Sequence, residues 1–269
     1  MSIPSGSRTW RAPRERHRAP PRSSLVSPAT SGDWDPFDVE AVRTKSRRLI
    51  IERRAERPTL VLGSTQRPDI VDTEAARSFG VDIRRRRSGG GAVLLWPGDH
   101  LWFDVWVPRD DPLFVDDVID APTWVGEWWA AALAATSDAP LAVQRGSCAG
   151  SAVSKLVCFA GVGPGEVLVG ARKVVGVAQW RARQGALFHV AAYWRWDPDP
   201  LPWLLALEPD ASTALAAVLA EVAVGIDALA PTPPEHPSVV THLLEQLPPG
   251  EWEVRRRDAP GGDPGSAVR

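Results

Sequence analysis

The stretch Val81-Asp82-Ile83-Arg84-Arg85-Arg86-Arg87-Ser88-Gly89-Gly90-Gly91-Ala92-Val93 decides the reading of this chain. Val81 to Arg85 reads as a strand leading into three consecutive glycines. Glycine loses more backbone freedom on folding than any other residue, so such a run marks a tight turn or a close approach of backbone to ligand. Arginines precede it and Ser88 opens it. Free N–H groups beside guanidinium groups make a nest for an anion such as a phosphate or an acyl-adenylate. A glycine hairpin with a solvated basic strand fits the same residues. The run is not a P-loop, because no Gly-Lys-Ser/Thr follows, and not a dinucleotide fingerprint, because no helical pattern follows.

A second segment lies some eighty residues on: Gly170-Ala171-Arg172-Lys173-Val174-Val175-Gly176-Val177-Ala178-Gln179. Lys173 falls in a predicted strand, where a lone lysine is ordinarily a surface residue. Cys158 stands 15 residues before it. On local sequence alone a buried strand cysteine is inert core.

In this order and spacing the two segments resemble the biotin/lipoate A/B protein ligase superfamily, in its lipoate ligase and octanoyltransferase branch. That branch carries R-R-x-S-G-G-G-A-V and then G-x-K-h-x-G-x-A-Q, with h apolar. The resemblance implies an α+β domain, class II synthetase-like, with a mixed, largely antiparallel sheet and packed helices. It also implies acyl chemistry on a lysine of a carrier protein. Arg85, Arg86, Ser88, Gly89, Gly90, Gly91 and Ala92 would line the acyl tunnel. Gln66, in Leu62-Gly63-Ser64-Thr65-Gln66, would face the same pocket. Lys173 would bind the acyl carbonyl and stabilise the developing oxyanion, with Gly176, Ala178 and Gln179 beside it. Some octanoyltransferases and amidotransferases of this superfamily carry a nucleophilic cysteine at about the offset of Cys158. A thiolate there, stabilised by Lys173, takes an acyl group from a carrier thioester without ATP and passes it to an amine.

Two departures matter. Leu94-Leu95-Trp96-Pro97 stands where many relatives have a histidine-aspartate pair, and His189-Val190 where many have histidine-glycine. His189 therefore reads either as a pocket residue or as a satisfied core histidine. Cys148, in a loop-like stretch, matches no family position and ranks second.

Three activities follow from the resemblance. An acyltransferase of lipoate metabolism would bind no cofactor. It would take octanoyl or lipoyl from an acyl carrier protein or a lipoyl protein, free lipoate being the donor of a ligase. Its acceptor would be a lipoyl-domain or glycine-cleavage H-like carrier. An ATP-dependent lipoate–protein ligase would use the same pocket with ATP and Mg, Cys158 being structural. A non-catalytic member of the fold would hold ligand or carrier without turnover.

The rest of the chain is read for organisation. Residues 1–34 are rich in Arg, Pro and Ser and read as a disordered basic extension, and 258–269 as a disordered tail. The catalytic domain is expected over 35–257. Helices are expected over 38–54, 72–79, 120–136, 211–230 and 239–247. Strands are expected over 59–62, 81–85, 92–96, 101–107, 154–159, 166–169, 173–181 and 186–195. Residues 201–257 leave room for two helices and fall short of the accessory domain of some lipoate ligases, which leans towards transfer without ATP.

Bulk properties exclude other classes. The net charge of -2 gives no basic field for nucleic acid. Two cysteines in 269 residues exclude a disulfide scaffold and suit a reducing cytoplasm. No apolar run is long enough to span a membrane, and the histidines and cysteines show no metal-ligand spacing. Thirteen tryptophans against one tyrosine read as core and rim, with some available to a greasy acyl pocket.

Overall fold

The computed structural model describes residues 39–147 and 150–256. The basic extension, the C-terminal tail and Cys148 lie outside them.

Two sheets carry the architecture. The larger contains β1 (Arg48–Arg53), β5 (His100–Pro108), β6 (Leu141–Val143), β7 (Val167–Val169), β8 (Arg172–Ala182), β9 (Gly185–Tyr193) and β10 (Trp252–Arg255), in the order β10-β1-β5-β9-β8-β7-β6. Its neighbours are antiparallel except β10 and β1. The smaller contains β2 (Thr59–Leu62), β3 (Asp82–Arg85) and β4 (Val93–Leu95), in the order β3-β2-β4, with β2 and β3 parallel. The expected α+β architecture with a mixed, largely antiparallel sheet is present.

Strand alternation gives the large sheet two different faces. On β5, Leu101, Phe103, Val105 and Val107 join the main core. That core is covered by α3 (Thr123–Ala134) and α6 (His236–Glu245), and Trp128 Nε1 donates to Leu243 O between the two helices at 2.6 Å. Trp102 looks the other way and meets Val61, Val93 and Leu95 of the small sheet across a second core with Phe159 and Tyr193. Tyr193 Oη donates to Leu94 O at 2.8 Å and pins the sheets together. The far face of the small sheet packs on α2 (Thr73–Ser78) and α5 (Pro209–Val222).

Several expected elements differ. Of the helix expected over 38–54, the described residues 39–54 form instead a single turn, α1 (Glu40–Arg43), and then β1. Val39, Val42, Leu49 and Ile50 mimic helical spacing, yet the run Leu49-Ile50-Ile51 is buried on both faces and pairs with β5 and β10. The strand expected over 154–159 is α4 (Ala152–Leu156) followed by a 3-10 turn, Cys158–Ala160. Ser151 and Ser154 cap α4 reciprocally, each side chain accepting from the other's backbone N–H. The helix expected to run to 230 stops at Val222, because Ala223 bridges Lys173 and Val224 N–H donates to Lys173 O. On α3 the buried stripe is Val125, Trp128, Trp129, Ala132 and Leu133, whereas Ala131 and Ala135 are exposed. Strands β6 and β10 were not expected at all.

Among the described residues no helix is long and apolar enough to cross a membrane.

Candidate active site

The glycine loop is built around a buried arginine. Arg86 turns inward from the end of β3, and its guanidinium donates to Gly89 O and Gly91 O at 2.8 Å each, to Val61 O at 3.3 Å and to Ser88 Oγ at 3.1 Å. Four acceptors surround one cation, so the loop is wound on Arg86. The loop's own N–H groups are not used: those of Gly89, Gly90 and Gly91 have no hydrogen-bond partner among the described residues. Gly90 has φ +94, and a Cβ there would stand 2.9 Å from Arg86 Nη2 and 3.7 Å from Cys158 Sγ. Gly91 touches the Val157 backbone, where a Cβ would meet main-chain atoms at 2.6 Å. Glycine is required at both places, at one by conformation and at the other by contact.

Cys158 is placed by the small sheet. Cys158 N–H donates to Ala92 O at 3.0 Å, and Ala92 N–H to Leu156 O at 2.8 Å. Gln66 adds a bracket: its amide donates to Lys155 O at 2.8 Å and Leu156 O at 3.0 Å while its oxygen accepts from Gly63 N–H. The Cys158 thiol is free and half-buried. Burial pushes the Arg86 guanidinium below its ordinary value, and the neighbouring Cys158 opposes that shift.

Lys173 comes from the large sheet. It is 1% exposed, with Nζ 2.7 Å from Glu166 Oε2 and 2.8 Å from Cys158 O, and it lies over the Phe159 ring. A register shift between Val167 and Leu168 pairs Lys173 with Leu168 but Val175 with Val167. That bulge brings Lys173 next to Glu166, the residue before β7. Burial pushes the Glu166 carboxyl above its ordinary value, with Lys173 pulling the other way.

These groups open into one cavity of about 560 Å³, lined among others by Gly89, Gly90, Gly91, Cys158, Glu166 and Lys173. Ala178 and Gln179 also line it, together with Val118, Ile119, Pro122, Val162 and Val177. Gln179 donates to Val118 O and Arg181 to Val115 O and Asp116 O, so β8 holds the loop that carries the apolar rim.

The other expected site residues stand behind this wall. Arg85 is tied to Ser64 O and Gln66 O, and Gln66 to α4. Ser88 is a ligand of Arg86, Ala92 carries Cys158, and Gly176 lies against Phe159. His189 is not among the described residues lining the cavity, and its buried Nε2 has no hydrogen-bond partner among them. It is buried on β9, with Nδ1 2.6 Å from Asp104 Oδ1, and Asp104 also accepts from Arg53 and Trp102. Among the described residues no tryptophan lines the cavity. Trp102, Trp106, Trp128 and Trp129 are core residues. Among the described residues no group of three or more His, Cys, Asp or Glu is arranged for a metal.

Glu166 was not singled out from sequence. Nothing local marks it, since its role appears only when β7 pairs with β8. The capping pair Ser151 and Ser154 was the legible signal for α4, and thus for the turn that carries Cys158.

Comparison with known proteins bears on the fold and the family. No curated protein matches the chain. Among solved structures it is similar to a bi-partite lipoate protein ligase from Thermoplasma acidophilum, studied with its E2 lipoyl domain. The TM-score is 0.58 at 19% identity, over 77% of this chain and 74% of that one. It is also similar to a lipoate protein ligase of that organism with bound lipoic acid (TM-score 0.54, 20% identity, 81% of this chain and 80% of that one). A lipoate-protein ligase A bound with ATP gives a TM-score of 0.54 at 20% identity, over 77% and 76%. These likenesses are of fold. Residues 39–248 match the model of the lipoyl protein ligase A/B catalytic domain, and the chain belongs to that family.

Proposed function

We propose that this chain is a thioester-forming acyltransferase of lipoate metabolism. It moves an octanoyl or lipoyl group onto Cys158 and then to a lysine of a lipoyl-domain or glycine-cleavage H-like carrier. The observation that carries this reading is that a free thiol, three glycines with unused N–H groups and a buried lysine line one cavity.

In the first step the Cys158 thiolate attacks the carbonyl of the donor thioester. A new C–S bond forms, the donor C–S bond breaks, and the donor sulfur leaves as a thiolate that takes up the proton Cys158 gave up. Negative charge gathers on the carbonyl oxygen between these bond changes, where glycine N–H groups and Lys173 are suitable donors. In the second step the amine of the carrier lysine displaces Cys158, forming the amide. Val118, Ile119, Pro122, Val162 and Val177 give the chain an apolar wall. Arg86 acts from behind, fixing the loop and standing near the thiol.

The ligase reading draws on the relative bound with ATP. Here Glu166 is the one carboxylate among the described residues of the cavity lining, and its Oε2 already holds Lys173 and Gly163 N–H. That donor set suits a magnesium nucleotide poorly, and no step is derived through one.

The test is the intact mass after incubation with an octanoylated carrier, ATP omitted. An octanoyl adduct lost in Cys158→Ser and kept in Cys148→Ser is the expected result. Product formed only with lipoate, ATP and an apo lipoyl domain would make the protein a ligase. Ligand protection without product would make it a binding protein.

A further inference from the structure

Glu166 is nearly fully buried yet lines the reaction cavity. Its two oxygens are used unequally. Oε2 accepts from Lys173 Nζ and from Gly163 N–H, each at 2.7 Å. Oε1 has one long contact, 3.4 Å from Val177 N, and lies 3.8 Å from where a Cβ on Gly176 would stand. A carboxylate oxygen accepts two hydrogen bonds, so Oε1 keeps spare capacity.

Thioester aminolysis needs such a group. A lysine acceptor arrives as an ammonium ion with no lone pair, its ordinary pKa being about 10.4. The titratable groups of the cavity lining are Lys155, Cys158, Glu166 and Lys173. Two are cations and the sulfur carries the acyl group, which leaves Glu166 as the acceptor.

Resting on the thioester reading above, we propose that Glu166 is the base that takes the first proton from the incoming ammonium. The freed nitrogen then attacks the thioester carbonyl. The C–N bond forms, the C–S bond breaks, and the departing sulfur takes the second proton from nitrogen. An ammonium, a carboxylate and an acyl-thioester become an amide, a carboxylic acid and a thiol, with zero net charge on each side. Lys173 exchanges no proton in this scheme and keeps its place between the Cys158 carbonyl and Glu166. The upward push of burial on the Glu166 carboxyl favours proton uptake.

The rival role is a strut that only holds Lys173. A glutamine amide oxygen can still accept from Lys173, so Glu166→Gln keeps the strut and removes the base. The acyl-enzyme is prepared from a small-molecule octanoyl thioester, and its loss is followed by intact mass with two acceptors. One is the lysine of an apo lipoyl domain, the other hydroxylamine, an amine already unprotonated at neutral pH. In Glu166→Gln, transfer to lysine should fall by about 100-fold or more, recover as pH rises, and leave hydroxylamine cleavage unchanged. Glu166→Asp should restore part of the lysine transfer, and serves as the test if the glutamine variant fails to fold. Wild-type lysine transfer in Glu166→Gln, or equal loss with both acceptors, would overturn the role of Glu166. If the wild-type protein forms no acyl-enzyme, the thioester reading fails and this proposal falls with it.

Discussion

Lys173 Nζ and Glu166 Oε2 sit 2.7 Å apart with side chains 1% and 4% exposed, one from each of two adjacent strands' ends. Removing one partner leaves the other charge buried and alone. Lys173→Met should therefore cost about 3–5 kcal/mol, and Lys173→Met with Glu166→Gln markedly less. Urea denaturation of the wild type, the two single variants and the double variant checks this. A double variant as unstable as the two single losses added together would mean that the pair is not coupled.

Gly91→Ala and Gly89→Ala should part company. A methyl at Gly91 meets the Val157 backbone, whereas at Gly89 nothing lies within 4 Å. Gly91→Ala should lose about 1–3 kcal/mol, as overpacked sites do, and Gly89→Ala should melt like the wild type. Since Gly89 lines the cavity, acyl loading should slow in Gly89→Ala at unchanged stability. Thermal melts beside loading rates make the comparison, and unchanged loading would mean that the acyl group passes elsewhere.

Arg86→Ala leaves four acceptors facing a hole. Bonds to a charged donor are worth about 1.5–3 kcal/mol each, and water entering the gap can replace only part of that. A loss of at least about 2 kcal/mol is expected, with Arg86→Lys intermediate because an ammonium cannot span the guanidinium's fork. Equal stability of lysine variant and wild type would show that only the charge counts.

Acid should weaken the fold through His100. Burial holds its pKa at about 4, with His236 and Arg54 adding to the depression and the bond to Trp96 O opposing it. His100 Nδ1 faces Trp96 O at 2.7 Å while Nε2 faces Ala55 N–H, so a second ring proton finds no acceptor. The unfolded chain takes up that proton near pH 6.5, and the folded one only near pH 4. Stability from this residue is thus full above about pH 6.5 and falls by about 3 kcal/mol on the way down to pH 4. The slope in His100→Gln should be flatter over that window. An unchanged slope would assign acid sensitivity to other groups.

The parts of the fold legible in sequence are those whose partners are close along the chain. The β3 strand, the glycine loop and the β8–β9 pair all read correctly, because turn residues and apolar runs sit side by side. Asp72 capping α2 was readable for the same reason. Distant pairing was not readable: β10 joins β1 across some two hundred residues, and nothing in Trp252-Glu253-Val254-Arg255 announces it. The site follows the same division. Gly89 to Gly91, Cys158 and Lys173 stood out, whereas Glu166 needed the β7 bulge, and the inward turn of Arg86 among four arginines needed the carbonyls that receive it.

The cavity is a seam between two frames. Cys158 hangs from β4 through Ala92, Lys173 is part of β8, and a single hydrogen bond, Lys173 Nζ to Cys158 O, links the pair across the gap. A small tilt of the three-stranded sheet is therefore felt as a change in spacing between sulfur and ammonium, with every side chain intact. Tuning of the site can come from residues such as Tyr193 and Leu94, which do not themselves line the cavity, acting as the screw that sets the aperture.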